Sequence, residues 1–142
     1  MSRELDPEGY CLVCGPNNPV GLAAVFRREG GESEAHIRGA KHHAGFPGIF
    51  HGGMVAALLD EAMWYALESQ GFLGVTGELT VRYRRPVPLE EELTVRGRVA
   101  SRRGRMAQAA AQLSDLQGRV LAEAEGKFVE RPLAPRPANI RS

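Results

Sequence analysis

Residues 52–70 constrain the fold more than any other stretch. No proline interrupts them, and Met54, Val55, Ala56, Ala57, Leu58, Leu59, Ala62, Met63, Trp64, Ala66 and Leu67 fill most positions. Good helix formers dominate, which predicts a helix from Gly52 to Gln70. Gly71 stands where a left-handed residue would end it. Such a helix is apolar nearly all round, so it has to be buried rather than laid on a surface. The rest of the chain must therefore wrap it.

The remainder reads as strands. Leu22 to Arg28 and the weakly alternating Glu34 to Arg38 precede a loop over residues 39–51. After the helix, Leu79, Val81 and Tyr83 alternate with polar neighbours until Pro86 and Pro88 end the strand. Leu93 to Val99, Met106 to Leu113 and Val120 to Glu130 follow. Turns at Arg102–Arg105 and Asp115–Gly118 make these strands antiparallel. The face Ala122, Ala124, Gly126, Phe128 is small enough to admit a bulky neighbour. One buried helix on one curled antiparallel sheet is an α+β layer arrangement. Residues 1–21 read as a turn-rich lead-in, 22–130 as the domain and 131–142 as a proline-rich tail.

A chain of 142 residues carries its own core without staples. Its net charge of +1, from 18 basic and 17 acidic residues, gives no support for nucleic acid binding. No apolar run reaches membrane-spanning length, and the polar start lacks a signal core, so a cytoplasmic location is expected. Cys11 and Cys14 alone make no disulfide framework.

The chemistry concentrates at the helix. His51-Gly52-Gly53 opens it with unobstructed backbone N–H groups at the positive end of the macrodipole. That suits an anion or a developing oxyanion; tight loop packing explains the glycines equally well. Asp60 puts a carboxylate inside an apolar helix, which is costly unless the group is paired or functional. It reads as a general base or nucleophile, or as half of an ion pair. Asp60 and Glu61 point about 100° apart, so they do not share a site. Gly53 lies about 10 Å along the axis from Asp60, too far for both to touch one carbonyl. Two antiparallel helices from two chains remove that distance, so a homodimer or dimer of dimers is expected.

These residues carry a family resemblance. His51-Gly52-Gly53, Asp60 nine residues after the histidine, the run Val75 to Pro88 and the opening Cys11 to Leu22 together resemble hot-dog-fold acyl-CoA thioesterases of the phenylacetate-degradation and long-chain branch. The resemblance implies a long helix wrapped by a curved antiparallel sheet, hydrolysis of an acyl-CoA thioester, and no cofactor or metal. It implies Asp60 as the catalytic carboxylate, Gly53 as the N–H donor to the thioester carbonyl, Gly52 and His51 as shapers of that turn, and Thr76 as holder of the water or carboxylate. Relatives place Asn or Gln in the loop before the helix. Residues 41–50 contain neither, so His42 or His43 becomes the candidate second donor.

Other features fit around this reading. Arg84 and Arg85 are the candidate seat for coenzyme A phosphates. Met54 and Trp64 are candidate walls of the acyl pocket, with core packing as the plainer role. Cys11-x-x-Cys14 is half a zinc site and lacks a second cysteine pair, which favours a turn-stabilising role. Two rival functions are an acyl-thioester dehydratase or hydratase using His43 and Glu61, and a non-catalytic acyl-CoA-binding module.

Overall fold

The computed structural model describes residues 1 and 4–132. Most of the proline-rich tail, from residue 133 on, lies outside the described residues. Two short strands, β1 (Arg27–Glu29) and β2 (Glu32–Arg38), precede the helix α1 (Gly52–Glu68). Four longer strands follow it: β3 (Gly74–Tyr83), β4 (Glu92–Arg103), β5 (Met106–Asp115) and β6 (Val120–Glu130). They form one sheet in the order β1-β2-β4-β5-β6-β3, with every neighbouring pair antiparallel. This is the α+β arrangement of one helix wrapped by one sheet, the hot-dog fold.

The helix is buried as its composition requires. Leu58, Leu59, Ala62, Met63, Ala66 and Leu67 are at most 1% exposed. It packs on β2, β4, β5 and β6. The closest approach is to β4, where a Cβ on Gly97 would collide with the Ala62 carbonyl oxygen. The Ser33 hydroxyl donates to that same carbonyl at 2.6 Å. On β6 the small face admits a bulky neighbour, and that neighbour is Met63, whose sulfur would lie 3.2 Å from a Cβ on Gly126.

Several element bounds differ from the sequence expectation. The strand expected at Leu22–Arg28 pairs with β2 only from Arg27. Ala23 has a positive φ of 49°, which breaks an extended run. Leu22 and Ala24 instead donate backbone hydrogen bonds to Leu12 and Val13 of the lead-in. β2 begins two residues early because Gly30 and Gly31, both at positive φ, close a tight hairpin. The loop 39–51 contains a 3₁₀ turn at Lys41–His43. α1 stops at Glu68, two residues short of Gln70, and Gly71 takes the left-handed conformation at φ 79°.

The largest difference is β3, which starts at Gly74 instead of Leu79. Its ladder with β6 pairs Thr76 with Phe128, then Glu78 with Lys127, leaving Gly77 as an extra residue in a bulge. Leu79, Val81 and Tyr83 pair with Gly126, Ala124 and Ala122 on the inner face. Strict alternation from Leu79 would send Thr76 to the outer face. The bulge reverses the parity and puts Thr76 on the inner face with Phe128.

Replacing Gly97 with alanine forces the Ala62 backbone away from β4. Overpacking of this kind costs about 1–3 kcal/mol. The Gly97→Ala protein is expected to melt several degrees below wild type in a calorimetric scan.

Candidate active site

A pinned loop sets the start of α1. The Gly45 N–H donates to Ile49, the Phe50 N–H to Val87 and the His51 N–H to His43, each to the backbone carbonyl at 2.8–2.9 Å. His51 thereby becomes the N-cap. Its carbonyl accepts from the Met54 and Val55 N–H groups. Its ring Nδ1 accepts from the Gly53 N–H at 2.9 Å. An N–H can only donate, so Nδ1 is unprotonated and the neutral ring carries its proton on Nε2. The Gly53 N–H is thus engaged within its own chain. The Gly52 N–H has no partner among the described residues.

The end of β3 closes over this turn. The Tyr83 hydroxyl donates to the Gly52 carbonyl at 2.6 Å. Beside it lies a cleft of about 240 Å³ lined by Gly52, Phe50, Val55, Tyr83, Arg84 and Arg85. Arg84 places Nε and Nη2 on the Glu123 carboxylate at 3.1 and 2.6 Å. Arg85 has no ion-pair partner among the described residues. Tyr83 was not singled out from the sequence; its position at the end of an alternating strand, just before two arginines, was the available signal.

Two turns further along α1 sits Asp60, half-buried. Among the described residues no lysine or arginine pairs with it; its partner is Thr76, whose hydroxyl donates to Oδ1 at 2.6 Å. Burial raises the Asp60 pKa above the ordinary carboxylate value, and the Thr76 hydrogen bond opposes that rise. Thr76 itself is exposed, so the pair opens to solvent at the seam between α1 and β3.

The structure therefore assembles the expected residues in two groups. Asp60 and Thr76 meet; Gly52, Arg84 and Arg85 meet at the cleft, where His51 caps the helix. Met54 is half-buried and does not line that cleft. Trp64 is a core residue, 9% exposed, with its indole N–H donating to the Gly74 carbonyl at 3.1 Å.

Neither histidine of the preceding loop faces Gly52 as a donor by any hydrogen bond. His43 is buried, its Nδ1 accepting from the Ala40 N–H and its Nε2 donating to the Val20 carbonyl. Glu61 lies elsewhere, accepting from the Cys11 thiol at 3.0 Å. No hydrogen bond joins His43 to Glu61, the two residues of the dehydratase alternative. Burial pushes Glu61 up to about 8. The hydrogen bond from Cys14 pulls the Cys11 thiol down to about 5, and the same bond raises Cys14.

With that geometry in hand, comparison with known proteins decides the family. A model described as the thioesterase superfamily matches residues 47–122. The chain belongs to the thioesterase superfamily. Among solved structures, the thioesterase superfamily protein RHA08564 is 31% identical with a TM-score of 0.83, over 92% of this chain and 68% of that one. A hypothetical thioesterase from Streptococcus pneumoniae, solved with coenzyme A, shares the fold at TM-score 0.73 and 18% identity, over 80% of this chain and 91% of that one. Mutants of that protein with one aspartate or one threonine changed to alanine, sixteen positions apart, have also been solved. The mouse acyl-coenzyme A thioesterase THEM4 is 28% identical over 102 residues, 68% of this chain. The chain spans only 44% of that relative's length. No described helix of this thioesterase-superfamily chain is long and apolar enough to cross a membrane.

Burial of Asp60 has a consequence for stability. Its folded-state pKa lies above the unfolded value, so ionising it weakens the native state as pH rises through the folded pKa. Asp60→Asn removes that charge and keeps an oxygen for Thr76. The variant should melt higher than wild type at pH 7–8. The gain should shrink on acidification and vanish below the ordinary value of 3.8. Melting temperatures across pH 3–8 check this; a variant less stable at every pH would contradict it.

Proposed function

We propose that the chain hydrolyses acyl-CoA thioesters to free acid and coenzyme A. One observation carries the reading: a half-buried Asp60 carboxylate, with no cation paired to it among the described residues, held by the Thr76 hydroxyl at the open seam of α1 and β3. The sixteen-residue spacing of Asp60 and Thr76 matches that of the aspartate and threonine altered in the Streptococcus protein. Coenzyme A in that relative and the activity named for the mouse relative supply the substrate class.

Asp60 acts as general base. A water between Thr76 and the free carboxylate oxygen loses its proton to Asp60 as its oxygen attacks the thioester carbon. The carbonyl oxygen becomes an oxyanion, stabilised at a helix start by the unpaired Gly52 N–H and, once His51 yields its ring contact, by Gly53. Collapse of the intermediate expels the coenzyme A thiolate, which takes up the proton that Asp60 removed from the water, regenerating the carboxylate.

A single chain separates Gly53 from Asp60 by about 10 Å along α1. The active unit is therefore a homodimer, with the helix start of one chain facing Asp60 of the other. β3 supports this arrangement: it is an edge strand of ten residues, with Val75 and Tyr83 exposed. An uncovered edge of that length readily pairs with a second copy. Two such dimers form the tetramer option. Arg85, without an acidic partner among the described residues, is the better phosphate contact; Arg84 must first leave Glu123. The free thiols of Cys11 and Cys14 suit a reducing compartment, the cytoplasm.

Release of coenzyme A thiol from aromatic, short and long acyl-CoAs tests this reading. Asp60→Asn should lower kcat by about 10²–10⁴-fold while retaining substrate binding. Thr76→Ala should lose about 10-fold or more, as expected for one hydrogen bond to a charged group. The activity of wild type should rise with pH through the raised Asp60 pKa, because only the carboxylate is a base. Single turnover in ¹⁸O water should label the acid product directly, without labelling Asp60. Arg85→Ala should raise KM and leave kcat nearly unchanged. An absence of thiol release from wild type over the whole panel would overturn the proposal.

A further inference from the structure

Away from the Asp60–Thr76 pair, three groups that ligate metals converge where the N-terminal loop meets the middle of α1. We infer that Cys11, Cys14 and Glu61 bind a divalent cation of the zinc class, clamping that loop to the helix. The inference uses none of the residues assigned to thioester hydrolysis and stands apart from that reading.

The geometry suits such an ion. One ligand atom from each residue lies within 4.8 Å of the other two. Cys11 Sγ and Glu61 Oε2 are 3.0 Å apart. Zinc–sulfur bonds of about 2.3 Å and zinc–oxygen bonds of about 2.1 Å place tetrahedral neighbours roughly 3.5–3.8 Å apart. Side-chain adjustment on the order of an ångström separates the observed cluster from that spacing. Two thiolates select zinc over magnesium or calcium. Three protein ligands leave the fourth position to water.

The loop is already folded for the purpose. The Gly15 N–H donates to the Cys11 carbonyl at 2.9 Å, and the Cys11 N–H to Asp6 at 3.0 Å. A side chain at Gly15 would collide with the backbone of Cys11 and Gly9, so this turn demands glycine. Both sulfurs also have outer partners of the kind that orient metal ligands. The Cys14 N–H points at Cys11 Sγ at 3.5 Å, and the Tyr65 hydroxyl donates to Cys14 Sγ at 3.3 Å.

Charge argues the same way. Glu61 is 8% exposed in an apolar stretch of helix, and no described lysine or arginine pairs with it. One carboxyl group and two thiols gather there, and the Met1 ammonium, 3.3 Å from Cys14 Sγ, is the one cationic group hydrogen-bonded to them among the described residues. Buried carboxylates are ordinarily paired or coordinate metals. A dication satisfies all three groups at once.

The test uses the full chain, reduced with a phosphine, stripped with a chelator and titrated with Zn(II) or Co(II). Wild type should retain one metal per chain through gel filtration. Its Co(II) form should show thiolate charge-transfer bands and the strong visible absorption of a tetrahedral ion. Bound zinc should block reaction of both thiols with an aromatic disulfide, and a chelator should restore it. Cys11→Ser, Cys14→Ser and Glu61→Gln should each lose stoichiometric binding. Tyr65→Phe should fold and bind about 10-fold or more weakly, as loss of an outer partner predicts. Substoichiometric metal in wild type, thiols equally reactive with zinc present, or equal metal in the cysteine variants would overturn the inference. So would a Cys11–Cys14 disulfide as the form that persists under the phosphine. If the cysteine variants fail to fold, thiol protection and the cobalt spectrum of wild type decide alone.

Discussion

The close contact of α1 with β4 governs the rest of the molecule. Gly97 lets the helix backbone at Ala62 approach the sheet directly, and the Ser33 hydroxyl adds a hydrogen bond from the sheet to that same carbonyl. A larger residue at either point would lift the helix off its sheet. With the helix seated there, its two acidic residues fall on different flanks. Asp60 faces β3, and Glu61 faces the N-terminal loop. The seating of one helix thus positions both candidate sites.

Each carboxylate meets the cost of burial differently. Asp60 stays partly open and receives one hydroxyl hydrogen bond, and burial keeps its pKa above the ordinary carboxylate value. Glu61 is enclosed and gathers two cysteine thiols. The first arrangement leaves a lone pair available to substrate. The second leaves a cluster of three ligand atoms that a cation could bridge. Side by side in sequence, the two residues meet separate surroundings because successive helical positions diverge by about 100°.

The fold was highly legible in the chain. A proline-free apolar run followed by alternating segments and glycine turns admits few architectures, and β6 matched its expected bounds of Val120 and Glu130. The errors are local and have causes. Leu22–Phe26 looks like a strand, yet Ala23 turns it against the lead-in. The first half of β3 was missed because Gly77 breaks the alternation that marks a strand. Trp64 offered itself as a pocket wall, but its N–H found the Gly74 carbonyl inside the core. The engagement of Gly53 by His51 leaves no trace in a residue pattern, since it depends on a side-chain rotamer.

What the sequence determined by itself was the layer architecture and the presence of an anomalous carboxylate on a buried helix, because periodicity and the cost of burying charge depend on residue type and spacing. Tertiary structure decided which residues meet. A one-residue bulge turned Thr76 inward to Asp60, and a loop fifty residues away in the chain brought Cys11 to Glu61. Both outcomes depend on register and loop path, which are set by the packing of the whole chain and by no local stretch of it.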